Sequence, residues 1–104
     1  MARYAIGLDY GTNSCRSLIV NLDNGTEVAS HVYAYPSGQM GVIVDPRDPN
    51  VARQNPADYR SGLIAIVVEG LKKARAADPA FSPDSVVGIG VDTTGSTPMP
   101  VDRS

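Results

Sequence analysis

The sequence is poor in the residue types that usually identify a metal, disulfide or aromatic binding site. Its 104 residues include no tryptophan, one phenylalanine, one histidine and one cysteine. Cys15 cannot form an internal disulfide, which agrees with a reducing compartment, and it has no neighbouring histidine to make it a nucleophile. No carboxylate or second histidine is placed to share a metal with His31, so a histidine metal centre is not expected.

Long apolar runs and an excess of one charge are also absent. The formal net charge is −2, so a nucleic-acid or anionic-membrane partner is not favoured. No apolar run approaches the roughly 20 residues of a membrane span, and residues 1–4 lack the plan of a signal peptide. The length fits one small domain, and we expect it to be cytoplasmic.

Two apolar segments near the start predict strands over about residues 4–10 and 16–22, joined by a polar loop. The pair Asn24-Gly25 then predicts a hairpin turn and a third strand over about 27–35. Side chains alternate between the two faces of this third strand, so Val28, Val32 and Ala34 share one face. We expect this face to be the buried one.

The polar loop between the first two strands carries the residues best suited to a phosphate site. Asp9 ends the first strand and offers oxygen ligands to Mg²⁺, directly or through water. Gly11 lets a ligand approach the backbone, and Thr12, Asn13 and Ser14 offer short hydroxyl and amide groups. Successive backbone N–H groups in such a turn can form an anion-binding concavity. Arg16 adds a planar cation suited to phosphate oxygens.

Residues 36–55 are punctuated by proline and glycine, which predicts a long loop with one possible short strand at residues 42–44. Loops of this length are usually functional or mobile, and both readings stay open. A helix over 56–77 follows, because Asn55 can cap it, Pro56 suits its first turn and Asp58 complements its dipole. Its predicted packing stripe consists of Tyr59, Leu63, Ile66, Val67, Gly70, Leu71 and Ala74, which leaves Ile64 and Val68 outside.

A second polar motif follows the last predicted strand, over about residues 86–92. This strand is apolar on both faces and runs directly into the stretch from Asp92 to Pro98. The helix supplies the crossover that a parallel strand needs, and a right-handed crossover gives an α/β fold with the sheet order 3-2-1-4. Ligands of open α/β sheets bind at the carboxyl ends of such strands.

Three segments in this order resemble the beginning of an FGGY-type carbohydrate kinase, a family of the actin, hexokinase and Hsp70 superfamily. They are Asp9-Tyr10-Gly11-Thr12 with Arg16, the helix opening at residues 54–59, and the motif at residues 88–98. The first motif is shared across the superfamily, whereas Gly90-Val91-Asp92-Thr93-Thr94-Gly95-Ser96-Thr97-Pro98 is nearly particular to ribulokinases.

The resemblance implies a partial ribonuclease H-like domain and transfer of the γ-phosphoryl group of MgATP to L-ribulose in arabinose breakdown. It implies that Asp9 holds Mg²⁺ and that Gly11, Thr12, Asn13 and Arg16 contact the ATP phosphates. By the same resemblance, Thr93, Thr94, Gly95 and Ser96 line the sugar site.

Enzymes of that family are several times longer, so residues 1–104 resemble an N-terminal part of the kinase's N-terminal domain. The general base is expected beyond residue 104, and the chain alone is expected to be inactive and to self-associate, most simply as a dimer. Three alternatives remain open: another FGGY pentulose or polyol kinase, an ATPase module of the same superfamily that is not a sugar kinase, and a non-catalytic interaction domain.

Overall fold

The computed structural model describes residues 2–95 and 98–103, which form a four-stranded sheet, a two-stranded hairpin and one long helix. The sheet contains β1 (Tyr4–Tyr10), β2 (Ser14–Asn21), β3 (Glu27–Ala34) and β6 (Val86–Thr93). The hairpin contains β4 (Ile43–Asp45) and β5 (Asp48–Arg53), and the helix α1 spans Pro56–Ala77. Within the described ranges, no helix is both long and apolar enough to cross a membrane.

The sheet has the order β3-β2-β1-β6, with β1 and β6 parallel and the other neighbours antiparallel. This order confirms the predicted mixed sheet, in which β6 is the predicted fourth strand and α1 the crossover. Because β1 and β6 are parallel, their carboxyl ends lie at the same edge of the sheet. Both polar motifs of the sequence begin at that edge.

The helix begins where the sequence predicts, since the side chain of Asn55 accepts a hydrogen bond from the Ala57 N–H at 3.0 Å. It packs chiefly on β2 and β3. Most of the predicted stripe is confirmed: Ile66, Gly70 and Ala74 are buried, and Tyr59, Val67 and Leu71 are half-buried against the core. The fully buried residues of the helix recur at every fourth position. They are Asp58, Gly62, Ile66, Gly70 and Ala74, whereas Leu63 is 40% exposed.

Two glycines let the helix backbone approach β2 closely. A Cβ atom built on Gly62 would lie 2.5 Å from the Cys15 Sγ, and one on Gly70 would lie 2.8 Å from the Ser17 Oγ. Ser17 is fully buried, and its hydroxyl donates to the Ile66 carbonyl at 2.7 Å. The sheet and the helix are therefore joined by backbone proximity and one satisfied buried hydroxyl.

The far end of the helix is fixed to the start of β1. Tyr4 is fully buried and packs edge-on against Phe81, with ring centroids 4.9 Å apart. Its hydroxyl donates to the Asp78 carboxylate at 2.6 Å, one residue after the helix ends. This contact holds the segment that leads from α1 into β6.

Over residues 31–34 the buried face of β3 is the opposite of the predicted one, whereas Val28, beside the irregularity in the pairing with β2, is half-buried against the core. Val32 is 56% exposed and Ala34 is exposed, whereas His31 and Tyr33 are half-buried on the side that faces α1. Lys73 of α1 reaches this side, where its ammonium lies 3.0 Å from the His31 Nδ1. The prediction fails because it followed apolar character, while the position of the helix decides which face is covered.

Residues 36–55 contain more regular structure than the predicted loop. Val44 pairs with Ala52 across the hairpin, and the Asp45 carboxylate accepts from the Arg47 backbone N–H at 2.9 Å and closes its turn. Pro49 lies within β5, which is possible because each strand of a two-stranded ribbon has one unpaired edge. Proline content alone therefore underestimated the strand content of this segment.

We expect Gly62→Ala to lower the free energy of unfolding in urea. Overpacking of this kind costs about 1–3 kcal/mol. Alanine gains only about 0.5–1 kcal/mol over glycine within a helix. The contact with the Cys15 Sγ should therefore outweigh the gain in helix propensity.

Cys15→Ala in the Gly62→Ala background should restore part of the lost stability, because it removes the overlapping sulfur. Gly88→Ala is the matched control, since a Cβ atom there meets nothing within 4 Å. Equal loss of stability in Gly62→Ala and Gly88→Ala, or no recovery in the double variant, would contradict close packing at Gly62.

Candidate functional site

The loop between β1 and β2 is closed by a single backbone hydrogen bond. The Gly11 N–H donates to the Ser14 carbonyl at 2.8 Å, and a Cβ atom on Gly11 would lie 3.2 Å from that same oxygen. Gly11 does not have a positive φ angle, since the described glycines that do are Gly25, Gly38 and Gly41. Close approach of the backbone, rather than an unusual conformation, is thus what favours glycine here.

Three hydrogen bonds anchor the tip of this loop to distant parts of the chain. The Gln54 side-chain amide donates to the Thr12 carbonyl at 2.9 Å, and the Tyr35 backbone N–H donates to the Asn13 carbonyl at 3.1 Å. The Asn13 side-chain amide donates to the Met40 carbonyl at 2.7 Å. The loop is therefore held between the start of α1 and the segment that follows β3.

The backbone N–H groups of Thr12 and Asn13 have no hydrogen-bond partner among residues 2–95 and 98–103. Both residues are exposed. Consecutive free N–H groups in a turn form a concavity that attracts anions. The anchored loop thus presents donors of the kind that a phosphate group needs.

Asp9 and Arg16 face each other across β1 and β2. They are paired in register, and the Arg16 Nε lies 3.7 Å from the Asp9 Oδ2. Both side chains are at least half exposed, so the ion pair is weak and a ligand can replace it. The structure therefore brings together the predicted metal residue and the predicted phosphate-binding cation.

Asp92 of β6 lies in register with Asp9 on the face of the sheet opposite α1. This face, which we call the open face, has little side-chain bulk near its centre because Gly7 and Gly90 are also paired there. A groove of about 610 Å³ results, with Arg16 on one side. The sequence pattern gives Asp92 no separate role, because only the parallel register of β1 and β6 places it beside Asp9.

The second polar motif continues from β6 beside the end of β1. The Thr94 N–H donates to the Tyr10 carbonyl at 3.2 Å, and Thr93 is paired in register with Tyr10. Gly95 follows in a turn and is exposed. Ser96, the fourth predicted sugar-site residue, lies outside the described residues. The phosphate loop and the described sugar-site candidates, Thr93 to Gly95, thus adjoin at one edge of the sheet.

Three stacked tyrosines lie behind the loop. Tyr10 and Tyr59 are nearly parallel with centroids 4.8 Å apart, and Tyr59 stacks on Tyr35 at 5.3 Å. Burial raises the pKa of Tyr10 and of Tyr35 above the usual value for tyrosine. Their hydroxyls therefore stay protonated to a higher pH than the hydroxyl of an ordinary tyrosine. Burial likewise raises the pKa of the Cys15 thiol, which agrees with a packing role for this residue.

The stack also contributes to a contact that sequence reasoning missed. The Tyr59 hydroxyl lies 3.2 Å from the Gln54 Oε1, and the other end of the Gln54 amide contacts the loop. Gln54 precedes the helix cap, where no spacing rule indicates a partner 42 residues away. Its only sequence signal was its place in the segment that opens the helix.

No group of three acidic, histidine or cysteine side chains that could hold a metal ion occurs within residues 2–95 and 98–103. Asp9 and Asp92 are nevertheless adjacent in the sheet. Mg²⁺ is often bound through one or two carboxylates together with water and substrate phosphates. The residues present fit such a shared site rather than an all-protein cage.

Known proteins that resemble the chain are sugar kinases. No family model matches it. It is 43% identical over 102 residues to the ribulokinase of Vibrio parahaemolyticus serotype O3:K6 and 38% identical over 106 residues to that of Geobacillus thermodenitrificans. Each match covers 98% of this chain, which spans only 17% and 18% of the length of these two relatives.

Solved structures of sugar kinases have the same fold. The xylulose kinase from Rhodospirillum rubrum matches 90% of this chain with a TM-score of 0.67 and 26% identity, over 17% of its own length. The gluconate kinase from Lactobacillus acidophilus matches 89% with the same TM-score and 20% identity, over 16% of its length. The chain therefore resembles ribulokinases over nearly all of its residues and has the fold of the corresponding part of these sugar kinases.

Proposed function

We propose that this chain supplies the phosphate loop and part of the sugar site of an ATP-dependent ribulokinase. The reaction converts ATP and L-ribulose to ADP, L-ribulose 5-phosphate and a proton. The observation that carries the proposal is the convergence of two polar motifs at the carboxyl ends of β1 and β6. Similarity to ribulokinases along nearly the whole chain supports this choice of substrate.

The ATP phosphates would bind at the loop between β1 and β2. The free N–H groups of Thr12 and Asn13 supply donors, and Gly11 leaves room for the phosphate oxygens to approach the backbone. Arg16 lies at the edge of this loop and would neutralise charge on the same oxygens. Phosphoryl transfer depends mainly on positioning and charge neutralisation, which are the properties that these groups provide.

Asp9 would hold the Mg²⁺ that accompanies ATP, directly or through water. Its carboxylate is half exposed beside the loop, and its existing partner is the replaceable Arg16. When bound, Mg²⁺ would draw negative charge from the phosphate oxygens. Asp92 adds a second carboxylate next to Asp9 and makes this position more favourable for a cation.

The sugar would bind next to the phosphate loop, against Thr93, Thr94, Gly95 and Ser96. Hydroxyl and backbone groups of this kind can hydrogen-bond the hydroxyls of a pentulose. No residue of this chain is assigned as the general base that accepts the proton of the attacking hydroxyl. A cytoplasmic location is part of the same proposal.

A kinase for another pentulose or a polyol is the second candidate. The 26% identity to a xylulose kinase structure with a TM-score of 0.67 favours it, because the two proteins share a fold over 90% of this chain. The two candidates differ in the side chains after β6. Substrate preference therefore separates them.

Phosphotransfer by the full-length protein that contains this chain should be fastest with L-ribulose. The assay couples ADP release to a panel of L-ribulose, D-xylulose, D-ribulose and glycerol, and kcat/KM is compared. A higher kcat/KM with D-xylulose or glycerol would replace the ribulokinase proposal with the second candidate. The 104-residue chain assayed alone should be inactive.

Asp9→Asn in the full-length protein should reduce phosphotransfer about 10–100-fold, as expected for a group that supports a metal site. Its thermal stability should change little, because the lost ion pair with Arg16 is exposed. Asp23→Asn is the matched control, since Asp23 forms a similarly exposed ion pair with Arg3 at 3.4 Å. Equal activities of the two variants would reject a metal-linked role for Asp9.

We also propose that the 104-residue chain self-associates as a dimer through the open face. Leu18 and Val20 line the groove on this face. No helix of the described residues covers this face, because α1 packs on the opposite face, over β2 and β3. An uncovered apolar groove of this kind often marks an interaction site.

Sedimentation at tens of micromolar should therefore give a dimer for the 104-residue chain. Leu18→Lys should shift it toward monomer, because the new charge lies on the open face. Ile64→Lys, on the exposed side of α1, should leave the dimer intact. A monomeric wild-type chain, or equal effects of the two lysines, would contradict an interface on the open face.

A further inference from the structure

Gln54 connects the tip of the phosphate loop to the rigid start of α1. Its side-chain Nε2 donates to the Thr12 carbonyl at 2.9 Å, and its Oε1 lies 3.2 Å from the Tyr59 hydroxyl. Both polar ends of the carboxamide therefore have partners. Asn55, the next residue, caps the helix and restricts where the Gln54 backbone can lie.

The hydrogen bond to the Thr12 carbonyl has a consequence for the neighbouring donor. A trans peptide group is planar, and its C=O and N–H bonds point in opposite directions. Fixing the Thr12 carbonyl toward the Gln54 Nε2 thus aims the Asn13 N–H away from the Gln54 side chain. This N–H is one of the two free donors of the loop.

Tyr59 holds the carboxamide of Gln54 in the required orientation. Its ring is confined between Tyr10 and Tyr35, with both pairs within 20° of parallel. Its hydroxyl donates to the Gln54 Oε1, and this leaves the Nε2 turned toward the loop. The stack therefore fixes Tyr59, Tyr59 fixes the Gln54 carboxamide, and this carboxamide restricts the loop at the Thr12 carbonyl.

We propose that Gln54, oriented by Tyr59, is a positioning residue that aims the Asn13 N–H at the bound phosphate. Gln54 contacts the loop backbone and is not assigned any contact with ATP. The inference rests on the proposed function only for the identity of the anion. The hydrogen-bonded connection itself is independent of the reaction.

The test compares Gln54→Leu with Gln39→Leu in the full-length protein. Leucine removes the amide donor at similar size and adds no charge near the phosphates. Gln39 is an exposed glutamine whose hydrogen bonds run through its backbone, so it is the matched control. Gln54→Leu should lower kcat/KM for ATP about five- to tenfold, as expected for one hydrogen bond, with an unchanged KM for the sugar. Gln39→Leu should match the wild type.

Tyr59→Phe should also lower kcat/KM for ATP, but by less than Gln54→Leu does, since it keeps the ring stack. Adding Tyr59→Phe to Gln54→Leu should cause little further loss, because the hydroxyl acts through the carboxamide. Additive losses, or equal losses for ATP and sugar, would overturn the positioning role and indicate general damage to the fold.

Hydrogen exchange without nucleotide provides a readout that does not depend on activity. The Tyr35 N–H donates to the Asn13 carbonyl, so its exchange should accelerate in Gln54→Leu and remain unchanged in Gln39→Leu. Unchanged exchange and unchanged kcat/KM for ATP would overturn the inference. A wild-type protein that transfers no phosphoryl group would instead overturn the proposed function, while the exchange result would still decide whether Gln54 holds the loop.

Discussion

Close contact between the helix backbone and β2 is the constraint on which the rest of this structure depends. Gly62 and Gly70 have no side chains to hold the helix away, so Cys15 and Ser17 pack directly against its backbone. The Ser17 hydroxyl then reaches the Ile66 carbonyl and leaves no unpaired polar group at this contact. Larger residues at either glycine would move the helix outward and change the position of its first turn.

The position of that first turn determines the shape of the phosphate loop. Asn55 caps the helix and so fixes the residue at which it begins. Gln54 precedes this cap, and Tyr59 follows it in the helix. From there the Gln54 amide reaches the Thr12 carbonyl. The loop is thus shaped by contacts distant in sequence that engage the carbonyls of Thr12 and Asn13, while the N–H groups of the same residues have no partner in the part of the chain that the structure describes.

Because α1 packs on one face of the sheet, the charged side chains at the ends of β1 and β6 lie exposed on the open face. Asp9, Arg16 and Asp92 lie near the carboxyl ends of β1 and β6, where no helix of the described residues covers them. Their exposure keeps the Asp9–Arg16 ion pair weak and leaves its groups available to a charged ligand. On the helix side of the sheet, exposed apolar residues of β6, such as Ile89, mark the part that α1 does not reach.

The sequence by itself determined the sheet order, the helix and the location of the two polar motifs. Strong local signals carried this information: the turn at Asn24-Gly25, the cap at Asn55 and the apolar strand before Asp92. Only the tertiary structure decided which face of β3 is buried and that Gln54 contacts Thr12, because both depend on where α1 rests. The periodicity of apolar residues predicts the helix or strand to which a residue belongs. It does not predict these contacts, which join elements that are far apart in the chain.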